Sequence, residues 1–158
     1  MSCNLVFAAS LLFSAEYSAS NVPVVEAVAS APLSDEAELR SLVQEAGRLK
    51  AVVQYWMEGP AVAEEHFARS APFMAFSSQA AELSHANMQA HLALKASGTD
   101  GDLTCILRGI AEDIPKKVAL VEAAKPGPER RQAFEELAYL LNDNVEVILA
   151  PPHVEGVD

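Results

Sequence analysis

The chain is short of cysteine, tryptophan and positive charge. Its 158 residues include 2 cysteines, Cys3 and Cys105, and one tryptophan, Trp56. Two cysteines exclude a disulfide framework and a cysteine-rich zinc site. Lys+Arg number 11 against 22 Asp+Glu, a formal net charge of −11, and aromatics make up only 6%. A surface this acidic lacks the basic face that phosphates require, so nucleic acid is excluded as a general partner and anionic lipid is repelled. The apolar run at 5–13 is far shorter than the ~20 residues of a bilayer span, so no integral membrane span is expected. Several motifs are missing too: the glycine-rich dinucleotide and P-loop fingerprints, the Gly-x-Ser-x-Gly elbow and the Cys-x-x-Cys-His haem attachment.

What is present is apolar. Hydrophobic residues make up 51% of the sequence, enough for one domain with a substantial core. Residues 1–33 stand apart as an apolar segment and linker. They read either as a signal peptide or as an accessory helix packed on the domain. The first basic residue is Arg40, so the positive flank of an export signal is missing, which favours the cytoplasm over export. Residues 34–150 form the helical domain and 151–158 a C-terminal tail that carries His153.

Four apolar stripes recur at steps of three and four. The first runs through Leu39, Leu42, Val43, Ala46, Leu49, Val53, Trp56 and Met57, after Ser34 as N-cap, and Gly59-Pro60 ends it. The second region covers 60–96. Pro72 interrupts it and Ser70 recaps it, predicting a short helix at 60–69 and a longer one at 71–96. The longer piece carries two stripes: Phe73, Phe76, Ala80, Leu83, Ala90 and Leu94, then Met74, Ala81, Met88 and Leu92. So wide an apolar surface predicts a central helix. Asp100 or Asp102 caps a third helix through Leu103, Ile106, Leu107, Ile110, Ile114, Val118 and Val121, with a kink or restart at Pro115. Pro128 opens a fourth through Phe134, Leu137, Ala138, Leu141, Val145 and Ile148. Its end, 144–149, alternates like a strand, but no second strand is available to pair with it. The expected fold is all-α: an antiparallel four-helix bundle with a kinked second helix and an additional N-terminal apolar segment.

The candidate chemistry centres on Glu82 and His85, a Glu-x-x-His pair on one helix face able to share a metal with a carboxylate or His66 from elsewhere. Ferritin-like di-iron sites need two such motifs and two further glutamates on facing helices. Here Glu112, Asp113, Glu135 and Glu136 have no histidine three residues on. Ser84-His85 resembles the histidine site of helical phosphotransfer domains over two residues, but Ala86 follows where that motif has an acid. His91 lies six residues from His85, roughly 240° around the helix, and diverges from it. Met88 lies between the two. Cys105, the one thiol of the body, falls in the first turn of the third helix, where the dipole favours a thiolate; the plain alternative is a small buried hydrophobe. Tyr55 and Trp56 close the first helix, with Trp56 read as core and either ring as a possible interface anchor. The pairs Arg130-Arg131 and Lys116-Lys117 read as solvated.

No catalytic set assembles from these residues. The leading expectation is a non-enzymatic interaction or regulatory module that binds a protein partner or itself as a homo-oligomer, with no cofactor. The alternative is a metal- or small-ligand-binding bundle using Glu82 and His85 with a transition metal. A third is an enzyme whose reactive group is Cys105 or His85.

Overall fold

The computed structural model describes residues 37–98 and 101–151. The expectations for residues 1–33, Cys3, the Ser34 cap, Asp100 and His153 lie outside the described residues. The elements in chain order are α1 (Ala37–Glu58), two single 3-10 turns (Pro60–Val62 and Phe67–Arg69), α2 (Ala71–Ala96), α3 (Asp102–Ala123) and α4 (Pro128–Leu149). The described residues contain no strand, and the alternating end of α4 is helical. The fold is an all-α helical bundle in which α1 packs on α2 and α4, and α3 packs on the same two helices.

The apolar periodicity that builds each helix also builds the core. Leu39, Leu42, Ala46, Leu49, Val53 and Trp56 of α1 are buried, and they meet the buried faces of the other three helices in one cluster. Ser70 recaps the chain before α2, its hydroxyl accepting from the Phe73 N–H at 3.3 Å. The preceding stretch is no helix. It consists of the two 3-10 turns joined by an exposed bend at 63–66, because Pro60, Pro72 and the Ser70 cap leave too few residues for α-helical propagation.

Several expectations change. The second stripe of α2 faces solvent: Met74 is 59% and Leu92 49% exposed, Ala81 is open and Met88 half-buried. One face of α2 suffices for the core, and polar groups complete it where the first stripe skips a turn. Asn87 and His91 are buried there. Asp102 is the first residue of α3 and does not cap it; Gly101 holds the cap position. Arg130 is buried, for reasons given below.

Pro115 lies inside α3, which stays one helix. A proline has no N–H for the carbonyl four residues back, here that of Ala111. Ser84 of α2 supplies the missing donor, its hydroxyl donating to the Ala111 carbonyl at 2.7 Å. Two turns on, His91 Nδ1 donates to the Thr104 carbonyl at 2.6 Å, which assigns the proton to Nδ1 because a carbonyl only accepts. These two bonds join α2 to α3.

Candidate functional site

Two concave features stand out. The first is at the end of the bundle where α1 runs into the turns before α2. Trp56 is 8% exposed and packs edge-on against Phe67 and Phe76, with both ring centroids at 4.9 Å, while Phe73 and Phe134 lie at 6.2 and 6.0 Å. Offset and edge-to-face rings of this kind lock one another's rotamers. Its neighbour Tyr55 points the other way and is 73% exposed. Between them opens a cleft of about 350 Å3, walled by Tyr55, Trp56, Pro60, Phe67 and Pro72.

Arg130 holds this end together. Its side chain, 2% exposed, donates to the carbonyls of Ala61 (3.2 Å), Glu64 and Ala124 (3.0 Å), and its guanidinium lies 5.7 Å from the centre of the Phe67 ring. An arginine is always charged, and among the described residues no carboxylate answers this one; backbone dipoles and a ring face do instead. Its Nε has no hydrogen-bond partner among the described residues. Gly127, at φ +100, donates its N–H to Val62 at 2.8 Å, and Arg131 reaches the Met57 carbonyl at 3.2 Å. The basic pair thus fastens the loop and the end of α1, Arg130 from within the core and Arg131 from the exposed surface. Of the other pair, Lys116 bonds Asp113 within α3, and Lys117 bonds Glu136 of α4, both at 2.8 Å.

The metal candidates do not converge. Glu82 and His85 are exposed on α2, whereas His66 sits in the bend before it, its Nδ1 accepting from Arg69 at 2.8 Å. Among the described residues no three histidine, cysteine, aspartate or glutamate side chains group as metal ligands. His91 is buried on the opposite side of α2 from His85, bonded to α3 as above. Cys105 is half-buried one turn into α3 and carries no free thiol, so it is no poised nucleophile.

The chain matches no protein-family model, no curated protein and no solved structure.

The second feature is the seam between α1 and α2, where Glu82 and His85 do find a setting. Three hollows of about 220, 330 and 240 Å3 share walls along it. Their floor is apolar, with Leu39 and Leu42 from α1 facing Leu83, Ala90 and Leu94 of α2. The rim is polar and acidic, with Glu38 and Glu45 on one side and Glu82, His85 and Gln89 on the other. Ala86, Ala90 and Ala93 of α2 line the groove with methyl groups only. Glu45 is paired with Arg48, whose guanidinium it holds above its ordinary pKa through their hydrogen bond. Glu38 and Glu82 have no ion-pair partner among the described residues.

Sequence reasoning did not find the groove, the Arg130 anchor or a buried amide pair. In that pair Asn87 Nδ2 donates to Asn144 Oδ1 at 3.0 Å and Asn144 Nδ2 donates back at 2.8 Å, both residues fully buried between α2 and α4. The sequence did hold a signal for the pair: each asparagine takes a core position of its own helix, between Leu83 and Ala90 and between Leu141 and Ile148.

Proposed function

We propose that this chain is a non-enzymatic helical interaction module that binds a protein partner or a second copy of itself, with the Tyr55 cleft as a contact face. The observation that carries the reading is the pairing of an exposed aromatic with a rigid aromatic floor. Tyr55 stands 73% exposed over a cleft whose walls, Trp56 and Phe67, are locked into the core. A large, preorganised aromatic beside an apolar pocket is the composition of an interface hot spot, because little conformational entropy remains to be lost on binding. The same reading takes neighbouring helices as antiparallel, supported by the bonds from residue 84 to 111 and from 91 to 104. It takes the chain as kinked at Ser70, where the 3-10 turns give way to α2.

The test compares wild type with Tyr55→Ala. Both should unfold at the same temperature, since Tyr55 buries little. Light scattering and crosslinked partner capture should then show a dimer, or one specific retained protein, that Tyr55→Ala weakens about tenfold or more. A monomer whose captured proteins are the same with and without Tyr55 would overturn the reading.

A further inference from the structure

We infer that the groove between α1 and α2 docks a cationic amphipathic helix of a protein partner. This rests on the reading of the chain as an interaction module and names the chemistry of what it binds.

The shape argues for a helix. The hollows follow α2 from Glu82 to Ser97, roughly 22 Å at 1.5 Å per residue, or about four helical turns. A channel of that length with a continuous apolar floor suits side chains at i, i+3, i+4 and i+7 of a docked helix. An extended peptide that adds as a strand would need an open sheet edge, and the described residues contain no strand. The alanine floor lets a third helix approach α1 and α2 closely, as small residues do wherever helices pack tightly.

The rim argues for positive charge. Glu38 on the α1 rim and Glu82 on the α2 rim stand toward opposite ends of the groove without cationic partners among the described residues, and the chain as a whole carries −11. Lys or Arg flanking the apolar face of an incoming helix would meet them, speeding the encounter and setting the register. The same charge argues against a second copy of this chain, which would bring its own acidic rim to the interface.

The probe is a fluorescent synthetic helix of about 16 residues, with leucine at i, i+3, i+4 and i+7 and lysine or arginine on its flanks. A twin keeps the leucines and carries glutamate on the flanks. Anisotropy titration of the full chain should give binding of the cationic helix, with the acidic twin at least about tenfold weaker. Ala86→Trp fills the groove from an exposed floor position and should abolish binding. Glu38→Gln/Glu82→Gln should weaken it about fivefold, more in low salt than in high. Glu122→Gln/Glu146→Gln, elsewhere on the acidic surface, should leave it unchanged. Melting temperatures verify that every variant is folded. The inference fails if the twin binds equally well, if Ala86→Trp still binds, if the control pair weakens binding as much as the groove pair, or if neither helix binds. Should partner capture depend on Tyr55 while these titrations fail, the interaction module stands and the groove assignment falls. Should the titrations succeed while Tyr55→Ala changes nothing, the groove stands and the Tyr55 face falls.

Discussion

The Trp56 end of the bundle and the α1–α2 seam are made of opposite materials. At the Trp56 end five aromatic rings interlock and a buried arginine stitches the loop, α3 and α4 through backbone carbonyls. Along the seam, α2 offers Ala86, Ala90 and Ala93, and the surfaces of α1 and α2 stand apart by a groove. Both regions are apolar, so composition alone does not distinguish them. Volume does. At the Trp56 end the interlocked rings fill the interior and leave space only at their edge, in the cleft beside Tyr55, whereas along the seam methyl groups line a channel that another chain can fill. Both regions belong to one core cluster, and they differ in the size of the groups that line their surfaces.

The largest test of that contrast is Trp56→Ala. It removes the ring that touches Phe67, Phe73, Phe76 and Phe134 and leaves a cavity that rigid neighbours cannot close. A loss of about 3–5 kcal/mol in urea unfolding is expected. The matching change on the seam, Ala86→Ser, should stay within about 0.5 kcal/mol because the position is exposed and makes no cavity. Equal losses would show that the seam is as tightly packed as the aromatic end.

Arg130→Met comes next. The methionine fills similar volume but leaves the Ala61, Glu64 and Ala124 carbonyls without their donor. About 2–4 kcal/mol should be lost. Lysine should not restore it, since one ammonium cannot span what the planar fork spans. Amide hydrogen exchange at residues 60–70 should accelerate in both variants.

This arginine also marks where sequence reading stops. The core positions of all four helices follow from apolar spacing, because a helix that buries one face must repeat every three or four residues. Ser70 as cap and Pro128 as helix opener were legible for the same local reason. Arg130 was not. It lies two residues into α4, in a stretch that reads as a polar first turn, and what buries it is a loop 66 to 69 residues earlier. The exposure of Met74 and Leu92 was equally hidden, since a second apolar stripe looks the same whether a neighbour covers it or not. Of the candidate site, Tyr55 and Trp56 were named from their place before Gly59-Pro60. The groove beside Glu82 and His85 was not, because a groove is a property of two helices and three alanines taken together.

The asparagine pair separates the two regions in another way. Asn87 sits on α2 between Ala86 and Ala90 of the groove floor, but it points inward and grips Asn144 of α4. Asn87→Ala leaves a buried amide without its partner and should cost about 1–3 kcal/mol. Asn87→Leu/Asn144→Leu replaces both and should be neutral or more stable. If the pair fixes the setting of α2, the double variant should still bind the cationic helix less well despite its stability, because α2 is free to shift along the seam. Unchanged binding would show that the apolar contacts alone hold the groove open.

The smallest effect divides α4 itself. Toward the Trp56 end, the Lys117 ammonium and then the Gln132 amide donate to Glu136 and hold its carboxyl below the ordinary value of 4.5. Farther along α4, burial and then the neighbouring Glu146 push Asp143 above its ordinary 3.8. The two carboxyls therefore respond to acid in opposite senses. Glu136 stabilises the fold fully above pH 4.5, and this is lost as pH falls through its lower folded value. Asp143 opposes folding while ionised, and that opposition fades as pH falls through its raised value and is gone below 3.8. Glu136→Gln should thus destabilise at neutral pH and converge on wild type in acid, while Asp143→Asn should stabilise slightly at neutral pH and converge from the other side. Unfolding curves for both variants across this range read the signs directly. Two variants that drift in the same direction would mean that the Lys117 clamp between α3 and α4 does not persist in solution.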